Sequence, residues 1–527
     1  PGISGIIITI VLTLTANAQI FTEESMKFSE VLHRVNSYYV DTVNEKKLVE
    51  DVIVKMLKAL DPHSVYVSKK DVREMNEPLQ GNFEGIGIQF NILFDTIIVI
   101  SPISGGPSEK VGLLPGDRIV EIEGDNVAGI GMTTTKVRKR LLGKKGTKVI
   151  VGIKRRGVKE FLKFTITRDK IPINSLEAAY MIDDRIGYIK LNRFSLRTIK
   201  EFNQAVERLR DKNMKDLILD LRGNGGGYLE VATQLVDMFL PENRLIVYME
   251  GLHTPKRPYL TKSGGKLRNE RIVVLIDEGS ASASEIVAGA IQDWDRGVIV
   301  GRRSFGKGLV QRPFYLRDSS MIRLTIARYY TPTGRLIQKP YNYGYDSYSK
   351  DLTNRYNNGE FFTADSINFP DSLKYKTLVN NRVVFGGGGI MPDLFVPLDT
   401  SSYSDYYRNL IGSNIMTSFA LEYIDQNRSE LKANFQTFDK FKETFLVSND
   451  MLESLKDLAQ NKGIKRIDDE FEKSADEIRL VIKALIARDI WDMNEYYQIR
   501  NINNAGFCKA VYVLQNETLF YKLLAER

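Results

Sequence analysis

Small hydroxyls crowd one turn of this chain. Residues 278–294 read EGSASASEIVAGAIQDW, with Ser280, Ser282 and Ser284 alternating with alanine just after the apolar strand RIVVLID (271–277). Ile286, Val287, Ala290 and Ile291 recur at helical spacing, so the serines fall at a helix N-terminus. One reading is structural: Ser282 with Glu285 three places on matches S-x-x-E, a capping box that satisfies orphan N–H groups. The other is chemical, because backbone N–H groups and the helix dipole at such a turn favour a developing oxyanion beside a nucleophilic serine. The residue types alone leave both open.

A nucleophilic serine needs a base, and histidine is the usual one. The chain has three histidines. His33 lies on a helical pattern, His63 in the turn LDPHS, and His253 in a loop just before Thr254-Pro255. Each suits a structural or solvent-facing role, which disfavours a Ser-His-Asp triad. The alternative base is a lysine held neutral by burial among apolar groups. Lys307 fits, in SFGKGLVQ after the strand VIVG, with a glycine on either side that permits close backbone approach. The same segment, GRRSFGKG, also spells G-x-x-x-x-G-K, the pattern of a phosphate loop. Gly308 stands where that loop needs Ser or Thr, and LVQRPFYL looks extended instead of helical, so nucleotide binding is disfavoured. A third segment, DLRGNGGGYLEV (220–231), is either a flexible tight turn or a nest of N–H groups aimed at an anion or carbonyl oxygen. Two such turns at the ends of neighbouring parallel strands face one crevice, which would join nucleophile and oxyanion hole.

The elements that must hold these residues follow from texture. At 527 residues, with 43% apolar and 27% charged residues, the chain is too long for one core and rich enough to bury several. Residues 20–80 read as an N-terminal helical domain, with Phe28, Val31, Leu32 and Val35 at helix spacing, and proline stops the second helix in LDPHS. Residues 82–168 carry short strands broken by glycine, GIGIQF, TIIVISPI, DRIVEIEG, TKVIVGIKR and EFLKFTITR, and form a small β-rich module. From 169 to 400 apolar strands (IGYIKL, KDLILDL, RIVVLID, GVIVG) alternate with helices, which predicts an α/β core with a parallel-type sheet. Within it 341–385, rich in Tyr, Asn, Asp and Ser, reads as an irregular insertion, and GGGGIMPD (386–393) as the punctuation that ends it. Residues 403–527 read as a separate C-terminal helical domain. The fold expected is therefore multidomain, α/β plus α+β, with helical domains at both ends.

The net charge of +8 is spread through both halves, and basic runs such as Lys136–Arg140 are matched by acidic stretches, which argues against nucleic acid as a partner. One cysteine, Cys508, excludes an internal disulfide framework and a cysteine-based metal site. The opening run PGISGIIITIVLTLTANAQ ends in the A-x-A pattern Ala16-Asn17-Ala18, so 1–18 reads as a signal-peptide remnant and the protein as exported, periplasmic or associated with the cell envelope. A buried or membrane-anchoring segment is the other reading of that run.

LDPHS, FEGIGI, PGDRIVEIEG, DLRGNGGG, GSASASEIVAGAIQD and SFGKGLVQ occur in this order between residues 25 and 335. In that order they resemble the carboxyl-terminal processing proteases, tail-specific serine peptidases with a Ser/Lys dyad. The resemblance implies Ser282 as nucleophile, Lys307 as general base and Gln311 as the residue that orients the lysine amine. It implies an oxyanion hole from the N–H of Ala283 and of a glycine in 223–227, Gly225 or Gly226, with Asp293 supporting the active-site helix. Ser280 and Ser284 then cap or pack. The β-rich module resembles a PDZ domain, in which Gly85-Ile86-Gly87-Ile88 would form the loop that catches a peptide's terminal carboxylate. Protein or peptide substrates with accessible C-termini are the partners implied, with no metal or organic cofactor. The C-terminal helices fall outside the resemblance, leaving homo-oligomer assembly or adaptor contacts as their role. A catalytically inert PDZ-based periplasmic adaptor is the rival reading, weakened by the intact Ser282, Lys307 and Gln311. An acyl-transfer enzyme acting on small thioesters is a second, which leaves the PDZ-like module unexplained.

Overall fold

The computed structural model describes residues 22–525, so the expectation for 1–18 lies outside the described residues. The chain divides into two units: residues 1–69 with 311–325, and residues 70–310 with 326–527.

In the first unit the helices Glu23–Tyr38 and Glu45–Leu60 start at side-chain caps, Thr22 Oγ1 accepting from Ser25 N–H at 3.2 Å and Asn44 Oδ1 from Lys47 N–H at 3.1 Å. The second helix stops at LDPHS, as the proline predicts. Asp61 there gathers the N–H groups of His63 and Ser64 at 2.7 and 2.9 Å and the Ser64 hydroxyl at 2.5 Å. The next strand, Val65–Val67, pairs antiparallel with Met321–Arg323. Helical spacing of Phe28 and Val31 holds, but both side chains are exposed and the first helix buries no residue. Period dictates helix type; burial requires a partner surface.

The second unit opens with the glycine-broken module. Asn82–Gly85 pairs with Asp169–Pro172 and so brings the module's two ends together. Between them runs an antiparallel sheet in the order Ile88–Leu93, Thr96–Pro102, Arg118–Ile122, Lys148–Lys154, Leu162–Thr167. Alternation places Ile97, Val99, Ile119, Val149, Val151 and Ile166 in its core, closed by Val137 and Leu141 of the helix Thr134–Leu141. Ile88–Leu93 lies at the sheet edge.

The α/β core holds a six-stranded sheet whose spatial order is its chain order: β1 (Leu176–Met181), β2 (Ile186–Leu191), β3 (Asp216–Asp220), β4 (Arg271–Ile276), β5 (Val298–Gly301) and β6 (Leu394–Phe395). β1 is antiparallel to β2 and every later pair is parallel. Strands covered on both faces read as continuous apolar runs, and β3 is buried throughout. One face packs on α1 (Thr198–Asp211), α2 (Leu229–Val236) and α3 (Ala283–Asp293), through residues such as Phe202, Leu235 and Ile286. Residues 341–385 are less irregular than their composition suggests: two short helices, Tyr345–Ser349 and Asp351–Asn357, precede a hairpin of Lys374–Lys376 with Val383–Phe385.

The other face corrects the expected boundary at 403–527. Phe507, Ala510, Val513, Leu514, Phe520 and Leu524, from the helices Ala505–Gln515 and Glu517–Ala525, bury Ile218, Val273, Leu275, Val298 and Val300 of the sheet. Asn494, in the helix Met493–Arg500, accepts the Ala179 N–H of β1 at 2.7 Å. The last helices are thus a layer of the α/β core. A separate helical core, around Leu410, Phe419, Phe441, Leu455 and Ile482, is built on the helices between 405 and 490 and takes in Ile499 of Met493–Arg500. Helical periodicity is the same whether the apolar stripe meets a sheet or another helix, so the sequence did not mark the change of partner.

Candidate active site

Three consecutive turns leave the carboxyl ends of β3, β4 and β5, and they carry DLRGNGGG, GSASASE and SFGKG. Asn224 ties the first two together. Its carbonyl accepts from Ala281 N–H at 3.0 Å and from Ser284 Oγ at 2.8 Å. Asp277 adds a second tie, its carboxylate taking the N–H of Gly223 at 2.8 Å and of Gly279 at 3.0 Å. Burial pushes the Asp277 carboxyl above its ordinary range, against the Gly223 hydrogen bond.

The three serines separate cleanly by environment. Ser280 is buried and its hydroxyl donates to the Leu221 carbonyl at 2.8 Å; Ser284 is buried and committed to Asn224. Ser282 alone is half-buried, immediately before α3. Its backbone sits at φ 56° and ψ −112°, in the left-handed region, at a cost of roughly 1–3 kcal/mol for a residue with a Cβ. A serine raised on such a strained strand-to-helix turn exposes its hydroxyl above the sheet. The Glu285 side of the expected capping box forms, with its carboxylate accepting from Ser282 N–H at 2.8 Å, while Glu285 N–H donates to the Ser282 carbonyl at 2.9 Å.

Glu285 also reaches the lysine turn. Its Oε2 accepts from both Ser282 N–H and Lys307 N–H, each at 2.8 Å, and its Oε1 accepts from Ser304 Oγ at 2.5 Å and Gly306 N–H at 2.7 Å. One fully buried carboxylate therefore fixes both turns, with four donors on its four lone-pair positions. Burial pushes the Glu285 carboxyl above its ordinary range, and those four hydrogen bonds oppose the rise. Tyr329 staples the pair from the carbonyl side, its buried hydroxyl 2.7 Å from the Lys307 carbonyl and 3.1 Å from that of Ser282. Sequence reading took Glu285 only as a cap partner and missed Tyr329 altogether; neither spacing nor residue type connects 329 to 282.

The lysine turn is braced from further along the chain. Lys307 is half-buried between glycines, and Leu309–Tyr315 follows as a strand, as expected against a phosphate loop. Gly306 has φ +87°, and a Cβ there would lie 3.1 Å from backbone atoms of Gly388 and Gly389. GGGGIMPD is thus a packing surface for SFGKG, where sequence reading saw punctuation. From the insertion, buried Arg355 donates to the carbonyls of Ser304 at 3.0 Å and Arg303 at 2.7 Å.

The remaining expected residues are placed as follows. Gly226, at φ +99°, packs so closely on the serine turn that a Cβ would meet Ser282 Cβ at 2.8 Å and Ala283 N at 2.9 Å. Its N–H donates to Asn224 Oδ1 at 2.9 Å, whereas Gly225 is exposed on the same loop. Asp293 ends α3, eleven residues beyond Ser282 and so about 16 Å along the helix. There it pairs with Arg335 at 2.6 Å and accepts from Thr333 N–H and Oγ1 at 3.0 and 2.8 Å, bracing the helix at its far end. Gln311 belongs to the first unit, where its Nε2 donates to the His63 carbonyl. His33 and His253 are exposed. A polar cavity of about 750 Å³ adjoins the same strand ends, lined by Lys190, Arg222, Asp277, Arg302, Glu477 and Arg500, and includes neither Ser282 nor Lys307.

In the β-rich module the Ile86 carbonyl accepts from Ser108 N–H at 3.0 Å and Ser108 Oγ at 2.7 Å, and the Gly87 carbonyl from Ile103 N–H at 2.9 Å. A trans peptide points its N–H opposite to its carbonyl, so the N–H groups of Gly87 and Ile88 turn away from these partners. Gly87 has φ +75°, which its missing Cβ permits. Ile88 then starts the edge strand.

Comparison with known proteins agrees with this architecture. The family model "Peptidase family S41" matches residues 185–344 and the PDZ domain model residues 85–166, while residues 406–492 match DUF8443, a family of unknown function. A carboxy-terminal-processing protease of Bartonella bacilliformis is 36% identical over 328 residues, covering 62% of this chain and 75% of that protein. The carboxy-terminal processing protease CtpB of Bacillus subtilis is 35% identical, covering 63% of this chain and 69% of the relative. A solved photosystem II D1 C-terminal processing protease shares 29% identity over 60% of this chain and 91% of its own, with a TM-score of 0.35. The chain is a serine-type peptidase carrying a PDZ domain. It belongs to the carboxy-terminal processing proteases of peptidase family S41.

Proposed function

We propose that the chain is a Ser/Lys-dyad endopeptidase that selects protein substrates by their C-termini. The observation that carries the dyad is the shared anchor: one buried carboxylate oxygen accepts from the N–H of both Ser282 and Lys307. Neutral Lys307 takes the Ser282 hydroxyl proton as Oγ bonds to the scissile carbonyl carbon. The carbonyl oxygen becomes an oxyanion held by the N–H groups of Ala283 and Gly225, since that of Gly226 is committed to Asn224. Lysine passes the proton to the leaving amine as the C–N bond breaks, giving an acyl-enzyme; water then bonds to the acyl carbon as it loses a proton to lysine, and lysine returns that proton to Ser282 Oγ as the C–Oγ bond breaks and the carboxylic acid leaves. Gln311, in this reading, orients the lysine amine, and Asp293 supports the serine helix from its far end.

The PDZ domain supplies selection. Its outward N–H groups at Gly87 and Ile88, in the loop Gly85–Ile88, suit a terminal carboxylate, and the Ile88–Leu93 edge suits an extended peptide. Export rests on the A-x-A pattern at residues 16–18; among the described residues no helix is long and apolar enough to cross a membrane. The test is cleavage of an unfolded protein with an apolar C-terminus, against the same protein with an amidated end. Ser282→Ala and Lys307→Ala should each lower kcat/KM by about 10⁴-fold or more while the PDZ domain still binds the tail. Turnover that survives both substitutions would remove the mechanism, and equal cleavage of the amidated substrate would remove tail selection.

A further inference from the structure

The open edge of the PDZ sheet does not end in solvent. Ile88–Leu93 runs from the carboxylate loop to a turn at Phe94 and Asp95, both in the left-handed region at φ 49° and 53°. Asp95 is pinned there by the N–H groups of Gly131 and Met132 at 2.7 and 3.0 Å. Phe94 is held as a bulky residue in a conformation that favours glycine, and it is 59% exposed. Its ring forms one wall of a cavity of about 680 Å³; the other walls come from the helices Ile415–Asn434 and Asn449–Asn461 of the helical domain. Phe419, Tyr423 and Leu458 give the cavity an apolar lining, and Glu422, Asp450 and Asp457 make its rim acidic against one basic residue, Lys462. The two walls are clamped by Asp425, whose carboxylate pairs with Arg118 at 2.7 Å and Arg156 at 3.6 Å, both from the PDZ domain.

A peptide whose carboxylate sits at Gly85–Ile88 must run along this edge toward Phe94, antiparallel to the strand. Six strand residues span about 20 Å, so the peptide reaches the cavity about six to eight residues before its end. We propose that the cavity is an upstream subsite for the substrate tail, taking an aromatic or large apolar side chain flanked by basic residues. The inference rests on the tail-binding reading above. It commits to this occupant because the cavity continues the peptide-binding edge and because its acidic rim stands out on a chain of net charge +8.

The test uses the full chain carrying Ser282→Ala and three labelled peptides that share the same apolar C-terminus. One is about five residues long; two are about twelve, with Phe-Lys-Arg or Ser-Gly-Glu placed about seven residues from the end. The Phe-Lys-Arg peptide should bind about tenfold more tightly than the other two. Phe94→Gly, which suits the backbone there, and Asp457→Lys, at an exposed position, should each reduce that gain and leave the short peptide's Kd unchanged. Equal affinity for all three peptides, or a gain that survives both substitutions, overturns the subsite. Failure of the short peptide to bind, or its indifference to C-terminal amidation, instead overturns the tail-binding reading beneath it.

Discussion

At the scale of the residue, Glu285 is the centre of the candidate site, its carboxylate accepting from three backbone N–H groups and the Ser304 hydroxyl. Its four acceptor contacts hold Ser282 in a strained turn and Lys307 beside it, so it is a positioning residue whose loss uncouples two backbones. Because burial raises its pKa, the folded protein binds the proton more readily than the unfolded chain does. That contribution to stability is fully present below the unfolded value of about 4.3 and is lost as pH rises through the folded value. The profile of Tm against pH should therefore lose this falling component in Glu285→Gln; parallel profiles for the two proteins would refute the assignment. The same substitution should lower kcat by about 10²-fold, because the amide brings hydrogens to backbone donors. Tyr329→Phe removes the donor shared by the Ser282 and Lys307 carbonyls and should lower kcat about tenfold with KM little changed, at about 0.5–1.5 kcal/mol of stability. Steady-state kinetics with thermal unfolding would check it, and a change confined to KM would contradict it.

At the scale of the element, the candidate site is built from loops that meet only because β3, β4 and β5 are adjacent and parallel. The contact between 223–227 and the serine turn leaves no room for a side chain at Gly226. Gly226→Ala, at φ +99° with a Cβ 2.8 Å from the Ala281 carbonyl oxygen, should push the glycine loop off the serine turn. The expected loss is about 10²-fold in kcat, the scale of an oxyanion donor, with Ser282 still open to a fluorophosphonate probe. Wild-type turnover in that variant would contradict the role given to the loop. The three turns were legible in the sequence as small-residue segments after apolar strands. Their bracing was not: Gly388 and Gly389 against Gly306, and Arg355 on the carbonyls of Ser304 and Arg303, join positions tens of residues apart with no periodic relation.

At the scale of the second unit, the sheet is a layer between two sets of helices, and the last helices of the chain form part of it. Phe507, Val513, Leu514, Phe520 and Leu524 each bury an apolar side chain worth about 1.5–3 kcal/mol, a sum of about 10 kcal/mol that rivals the net stability of a whole domain. A chain stopped at residue 492 should therefore fail to give a cooperative unfolding transition and should collect in the insoluble fraction. A soluble, active truncated protein would show that this layer is dispensable. The helical core built on residues 405–490 also takes in Ile499, on the helix that reaches β1 through Asn494, and the Asp425 pairs with Arg118 and Arg156 join it to the PDZ domain.

Sequence by itself determined that the PDZ module precedes the peptidase core and that small-residue turns follow the apolar strands, and it supplied the expectation that Ser282 and Lys307 act together. These properties are local: turn chemistry, hydrophobic period and the residue types a reaction needs are all written within a few neighbours. Only the tertiary structure decided that Glu285 anchors both turns, that Tyr329 staples them, that the Gly226 N–H is already engaged and that the terminal helices belong to the protease sheet. Hydrogen bonds between distant loops and the partner chosen by an apolar face depend on which surfaces folding brings together, and linear spacing carries no term for that.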